Sequence, residues 1–131
     1  MRPFEELRIW QDAQEIALAV YALLNDNKDY GFRDQIQRAA ISISNNIAEG
    51  CGYNSDRTMI RYLKISRGSC NEVRNMLYIC PKLNYCPEET ARELNKRCKS
   101  LSNAIGAFIS YLENDKRQQT GPKSQVLSPK S

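Results

Sequence analysis

The chain has 131 residues, 41% of them hydrophobic and 26% charged, with five cysteines, no histidine and a formal net charge of +4. That length suits one domain able to bury a core without metal or disulfide support. The missing histidine excludes a Ser-His-Asp triad, a Cys-His dyad and a histidine-ligated metal, and no pair of cysteines has the C-x-x-C spacing of a zinc ribbon or thioredoxin site.

The first predicted helix runs from about Phe4 to Leu24, with Ile9, Trp10, Ala13, Ile16, Ala17, Val20 and Leu24 on one face. Leu7 and Leu18 fall off that stripe, so the helix is expected to face a second partner. Asn25–Asp29 reads as a turn. The second helix is expected from about Phe32 to Gly50, with a core stripe of Ile36, Ala40, Ile43 and Ile47. Beside it runs a polar row of Gln35, Ala39, Ser42, Asn46 and Glu49, with Arg38 at its edge, and Ile41 with Ala48 on another side. Gly50 and Gly52 bracket Cys51 as a stop, which would leave that thiol exposed.

Ser55 or Asp56 would cap the third helix, which extends to about Tyr85 and buries Met59, Tyr62, Leu63, Ser66, Cys70, Val73 and Leu77. Pro81 conflicts with a helix interior and predicts a kink or an early end near Cys80. The fourth helix opens at Pro87, with Glu88 and Glu89 opposing the positive helix end. Leu94, Cys98, Leu101, Ile105, Phe108 and Leu112 form a heptad-like seam, and the helix is expected to fade at Asn114-Asp115. With no sustained alternation to argue for a strand, the fold expected is an all-α, antiparallel up-down-up-down four-helix bundle over 1–115.

The excess charge is mostly in the tail. Residues 1–113 carry 15 basic and 14 acidic side chains, whereas residues 114–131 carry Lys116, Arg117, Lys123 and Lys130 against Asp115. The segment 116–131 reads as a disordered basic tail, more often a soluble end than a nucleic-acid anchor. No 18-residue apolar run exists, and the start turns acidic at Glu5-Glu6 where a signal peptide would be apolar. With an odd number of unpaired cysteines, the expectation is a cytoplasmic protein.

Chemistry has few candidates. No histidine is present to activate a cysteine, the Glu-x-x-His of di-iron bundles cannot occur, and there is no phosphate-binding P-loop, so no enzymatic activity and no cofactor are expected. Glu49 and Glu72 are the best buried-carboxylate candidates, with Arg38 or Arg67 as expected partners. Arg57, Arg61 and Lys64 share one face of helix 3, with Arg67 and Arg74 further round. Such a strip can follow a phosphate backbone, although a merely solvated face is the commoner use of charge.

Several segments carry a resemblance. Arg38-Ala39-Ala40-Ile41-Ser42-Ile43-Ser44-Asn45-Asn46-Ile47-Ala48-Glu49-Gly50 resembles the signature of the 23S rRNA intervening-sequence proteins. Phe4-Glu5-Glu6-Leu7-Arg8-Ile9-Trp10-Gln11-Asp12-Ala13 resembles that family's F-x-x-L-x-[VI]-W-x-x-A opening. Tyr30-Gly31-Phe32-Arg33-Asp34-Gln35-Ile36 and Arg61-Tyr62-Leu63-Lys64-Ile65-Ser66-Arg67-Gly68-Ser69, followed by Glu72, match two further motifs. The similarity covers roughly residues 4 to 113. Two positions depart from it: Ser44 stands where members often have Pro, and Tyr53 where they often have a basic residue.

The resemblance implies an antiparallel four-helix bundle that assembles as a homopentamer. Its distant similarity to accessory variability proteins of diversity-generating retroelements implies an adaptor for RNA, DNA or protein. The alternative is an oligomeric protein–protein scaffold that binds no nucleic acid. The family's recurrent residues also suggest that Gln35, Arg38, Ser42, Asn46 and Glu49 meet Arg67, Ser69 and Glu72 in a polar network joining helices 2 and 3. The rival reading is a ligand pocket made by the same residues.

Overall fold

The computed structural model describes residues 3–120, with side chains described for 3–115. All regular structure among the described residues is helical: a 3-10 turn at Phe4–Glu6, then α1 (Arg8–Leu23), α2 (Tyr30–Cys51), α3 (Asp56–Lys82) and α4 (Glu88–Thr120). Each helix packs on the next in sequence, and α1 also touches α4, which closes a four-helix arrangement around one core.

The predicted core stripes meet at the centre. Ile36, Ala40, Ile43 and Ile47 of α2 are fully buried, as are Met59, Leu63, Ser66, Cys70 and Val73 of α3. Removing a Leu or Ile side chain of this kind from water stabilises the fold by roughly 1.5–3 kcal/mol. Paired positions give the direction of travel. Gln35 bonds Glu72, Ser42 bonds Ser69 and Tyr62 bonds Glu49, so α3 descends as α2 ascends. Cys70 meets Cys98 and Arg74 meets Asn95, so α3 and α4 are antiparallel as well.

Element ends differ from expectation in four places. The first helix does not start at Phe4: the chain makes a 3-10 turn, and Leu7 (φ −80°, ψ 126°) is extended before α1 begins. Leu7 is therefore off the helical register and turns into the core instead of lying beside the stripe. The second helix starts two residues early, because the Asp29 carboxylate accepts the Phe32 N–H and caps it.

The third helix absorbs Pro81 in its last turn and ends at Lys82. Asn84 then turns left-handed (φ 63°); Tyr85 N–H bonds the Cys80 carbonyl and Asn84 N–H bonds the Pro81 carbonyl. That pattern is a Schellman stop, in which asparagine takes the place usually held by glycine. The fourth helix continues past Asn114-Asp115 to Thr120, a stretch whose sequence from Lys116 to Gln119 holds only good helix formers. The predicted disordered tail thus begins inside α4, and its remainder, 121–131, lies outside the described residues.

Candidate nucleic-acid interface

The polar row of α2 faces α3 in graded fashion. At its centre the Ser42 and Ser69 hydroxyls lie 2.8 Å apart, and Asn46 Nδ2 donates to both the Ser42 carbonyl (2.8 Å) and its Oγ (2.9 Å). Beneath them the buried Ser66 hydroxyl donates to the Ile43 carbonyl at 2.8 Å. The row's ends are exposed: Gln35 Nε2 donates to Glu72 Oε2 at 3.3 Å, and Tyr62 Oη donates to Glu49 Oε2 at 3.4 Å. Glu49 and Glu72 are thus surface carboxylates held by Tyr62 and Gln35, and neither pairs with Arg38 or Arg67. Arg38 is exposed at the lip of a shallow cleft between α2 and α3 that Gln35, Ser42, Ser69 and Glu72 also line.

The basic residues of α3 do not form one strip. Arg57 is exposed near the helix start, and Arg61 lies over the Tyr62 ring, 5.9 Å from its centroid. Tyr53 stacks against the Tyr62 ring (5.7 Å, 8° between planes). Lys64 turns to α4 and sits 4.0 Å from Glu113. Arg67 is half-buried, with a guanidinium nitrogen close to Gly106, where an added Cβ would lie 3.2 Å away. Arg74 is locked in a reciprocal clamp. Its Nε donates to Asn95 Oδ1 at 2.9 Å, and Asn95 Nδ2 donates to the Arg74 carbonyl at 3.2 Å.

Lys64, Arg67 and Arg74 therefore reach across the α3–α4 seam, whereas Arg61 lies on the Tyr62 ring. The seam opens into a groove of about 580 Å³ where the end of α3 meets the start of α4. Its cations are Arg74 and Lys82 from α3 and Arg92, Lys96 and Lys99 from α4, against the single carboxylate of Glu88. Arg92 is engaged by Glu88 and Glu89. Lys82, Lys96 and Lys99 have no ion pair among the described residues. Leu77, Tyr78, Pro81 and Ala91 supply an apolar floor, with Tyr78 58% exposed.

Sequence reasoning missed Lys82, Lys96 and Lys99. The signal available was the spacing Arg92, Lys96, Lys99, four and three residues apart, which places three cations on one face of α4.

Three of the cysteines, Cys51, Cys80 and Cys98, are held toward the protonated thiol. Burial, with Glu5 nearby, pushes the Cys51 thiol up, and Cys51 is half-buried rather than exposed between its glycines. Burial and the Cys86 hydrogen bond push Cys80 up to about 12. Hydrogen bonding with Cys70 and burial hold the Cys98 thiol protonated. All five are free, and no cluster of three metal-ligating side chains occurs among the described residues. No helix of the described residues is long and apolar enough to cross a membrane.

A sequence profile described as 23S rRNA-intervening sequence protein matches residues 5–107. Among solved structures, the chain is similar to a protein of unknown function of the S23 ribosomal protein family from Bacteroides thetaiotaomicron VPI-5482. The TM-score is 0.72 at 24% identity, over 77% of this chain and 97% of that one. No curated protein matches.

Proposed function

The chain belongs to the 23S rRNA-intervening sequence protein family, and from that premise we propose a non-enzymatic adaptor that binds nucleic acid through the basic α3–α4 side of the bundle. In this reading the four helices run up-down-up-down, copies assemble into a homopentamer, and the protein works in the cytoplasm, where its five free thiols stay reduced. The observation that carries the reading is the charge of the α3–α4 groove, five cations to one carboxylate in a chain whose first 113 residues are otherwise nearly balanced. A field of one sign concentrated in a concave surface attracts polyanions, and an oligomer multiplies it.

Binding to labelled RNA and DNA across a salt series tests the proposal. Affinity should fall steeply between about 50 and 200 mM salt as phosphate contacts release counterions. Binding that ignores salt, or no binding, would refute it.

A second reading is a protein–protein scaffold. What favours it is a set of exposed apolar side chains on α1 and α2: Leu18 is 69% exposed, and Tyr21 and Ile41 line one cleft among polar residues. Exposed apolar side chains rimmed by polar ones mark association surfaces. Co-purification of a stoichiometric second protein that Leu18→Glu releases, with no nucleic acid bound, would favour the scaffold.

A further inference from the structure

The α3–α4 groove has two chemistries that a uniformly charged face lacks, and together they select a ligand class. Its rim carries Lys82, Lys96 and Lys99, unpaired among the described residues, and its wall carries Arg74, whose Nε is already committed to Asn95. Its floor is apolar, and Tyr78 is 58% exposed at it. A rim of cations needs a polyanion. An exposed aromatic ring over an apolar floor needs a flat apolar group carried by that same polyanion. Duplex nucleic acid offers phosphates but keeps its bases stacked inside, and an acidic peptide offers a flat ring only where an aromatic residue interrupts its carboxylates, whereas every nucleotide of a single strand carries both. A single strand offers both, a phosphate chain for the lysines and unstacked bases for the tyrosine and the floor.

We propose that this groove is a single-strand nucleic-acid site, with Tyr78 stacking a base and Lys82, Lys96 and Lys99 holding the flanking phosphates. The proposal rests on the nucleic-acid reading above and deepens it by placing the ligand and naming its form. Arg57 and Arg61 lie outside the groove and are not part of the site. The Arg74–Asn95 clamp acts as a positioning pair: it fixes α3 against α4 and sets the width of the groove.

The test is fluorescence anisotropy of the full chain with a labelled oligothymidylate of about 12 nucleotides, a length within reach of one small binding domain. A duplex of the same length is measured beside it. The single strand should bind more tightly than the duplex. Tyr78→Ala should weaken single-strand binding about tenfold while Tyr78→Phe retains it, because the ring and not the hydroxyl stacks. The Lys96→Gln/Lys99→Gln double variant should lower the slope of log affinity against log salt by about 1.4. Circular dichroism matching the wild type keeps these exposed substitutions interpretable.

Three outcomes would overturn the proposal. Duplex binding equal to single-strand binding, with Tyr78→Ala silent, removes the groove and leaves nucleic-acid binding standing. Loss confined to Arg57→Gln/Arg61→Gln moves the site to the other end of α3. No binding to either oligonucleotide removes both this inference and the reading beneath it.

Discussion

Asp29 works at two places at once, since its carboxylate caps α2 through the Phe32 N–H and accepts the Tyr85 hydroxyl from beyond α3. The Tyr85 bond first, and then the Phe32 N–H, hold its pKa below the usual carboxylate value, while the same bond holds the Tyr85 phenol above its usual value. The two shifts have opposite consequences for pH. Asp29, depressed on folding, contributes stability above the unfolded carboxylate pKa of about 3.9 and loses it as pH falls through the folded value. Tyr85, raised on folding, contributes below about pH 10 and loses its share as pH climbs through the folded value. Urea unfolding of wild type and Asp29→Asn should therefore differ at neutral pH and converge as pH falls through the lowered folded value of Asp29, since asparagine keeps the cap but not the charge. A constant gap across that range would show that the charge is irrelevant. The serine pair sets a second contrast. Ser69→Ala strips the half-buried Ser42 hydroxyl of a partner and should cost about 1 kcal/mol, whereas Glu72→Gln, at an exposed contact, should leave the melting temperature within error. Equal losses from the two would contradict the graded burial of the row.

Helix identity was legible in the sequence because the α2 and α3 stripes repeat at helical spacing with residues that end fully buried, such as Ile36, Ile43 and Leu63. Helix ends were not, since they depend on single bonds that periodicity does not encode. Leu7 looked off-register because the wheel assumed a helix where the chain is extended, whereas the early end expected from Pro81 is found, with the helix stopping one residue later at Lys82. The groove was illegible for a related reason. Its cations come from two helices, and which of them share a seam is known only once α3 and α4 are placed in register. The α3 stop gives a prediction at this scale. Asn84 at φ 63° can be replaced by glycine without loss, whereas Asn84→Val should destabilise by about 1–2 kcal/mol because a branched side chain resists the left-handed region. Glycines elsewhere should divide in the same way under thermal melting. Gly68→Ala meets nothing within 4 Å and should gain up to about 1 kcal/mol from helix propensity. Gly50→Ala would press a Cβ to 2.7 Å from Met59 Sδ and 3.0 Å from Tyr62 Cβ, and should lose about 1–3 kcal/mol. The reverse order would mean that α2 and α3 are not in close contact at Gly50.

At the scale of the whole molecule, the two unusual surfaces lie on different helix pairs. The basic groove belongs to α3 and α4, while exposed Leu18, Tyr21 and Ile41 belong to α1 and α2. That separation lets one surface serve self-association while the other stays open to solvent, so an assembly built through α1 and α2 would display one groove per copy. Linked sites of this kind raise apparent affinity through effective concentration without any new contact. Two measurements join here. Light scattering of the wild type should give a multiple of the 15.0 kDa chain mass, five-fold for the proposed ring. Leu18→Glu combined with Ile41→Glu sets charges into the apolar surface and should return the mass to 15.0 kDa with helicity unchanged. The same double variant should retain single-strand binding per chain, because it leaves Tyr78 and the lysines in place, yet lose the avidity that long strands gain by spanning several grooves. Its affinity for a short oligonucleotide should thus match the wild type while its affinity for a long one falls. A wild-type mass of 15.0 kDa would remove the ring, and an equal loss for both lengths would mean that the α1–α2 surface shapes the groove instead of merely repeating it.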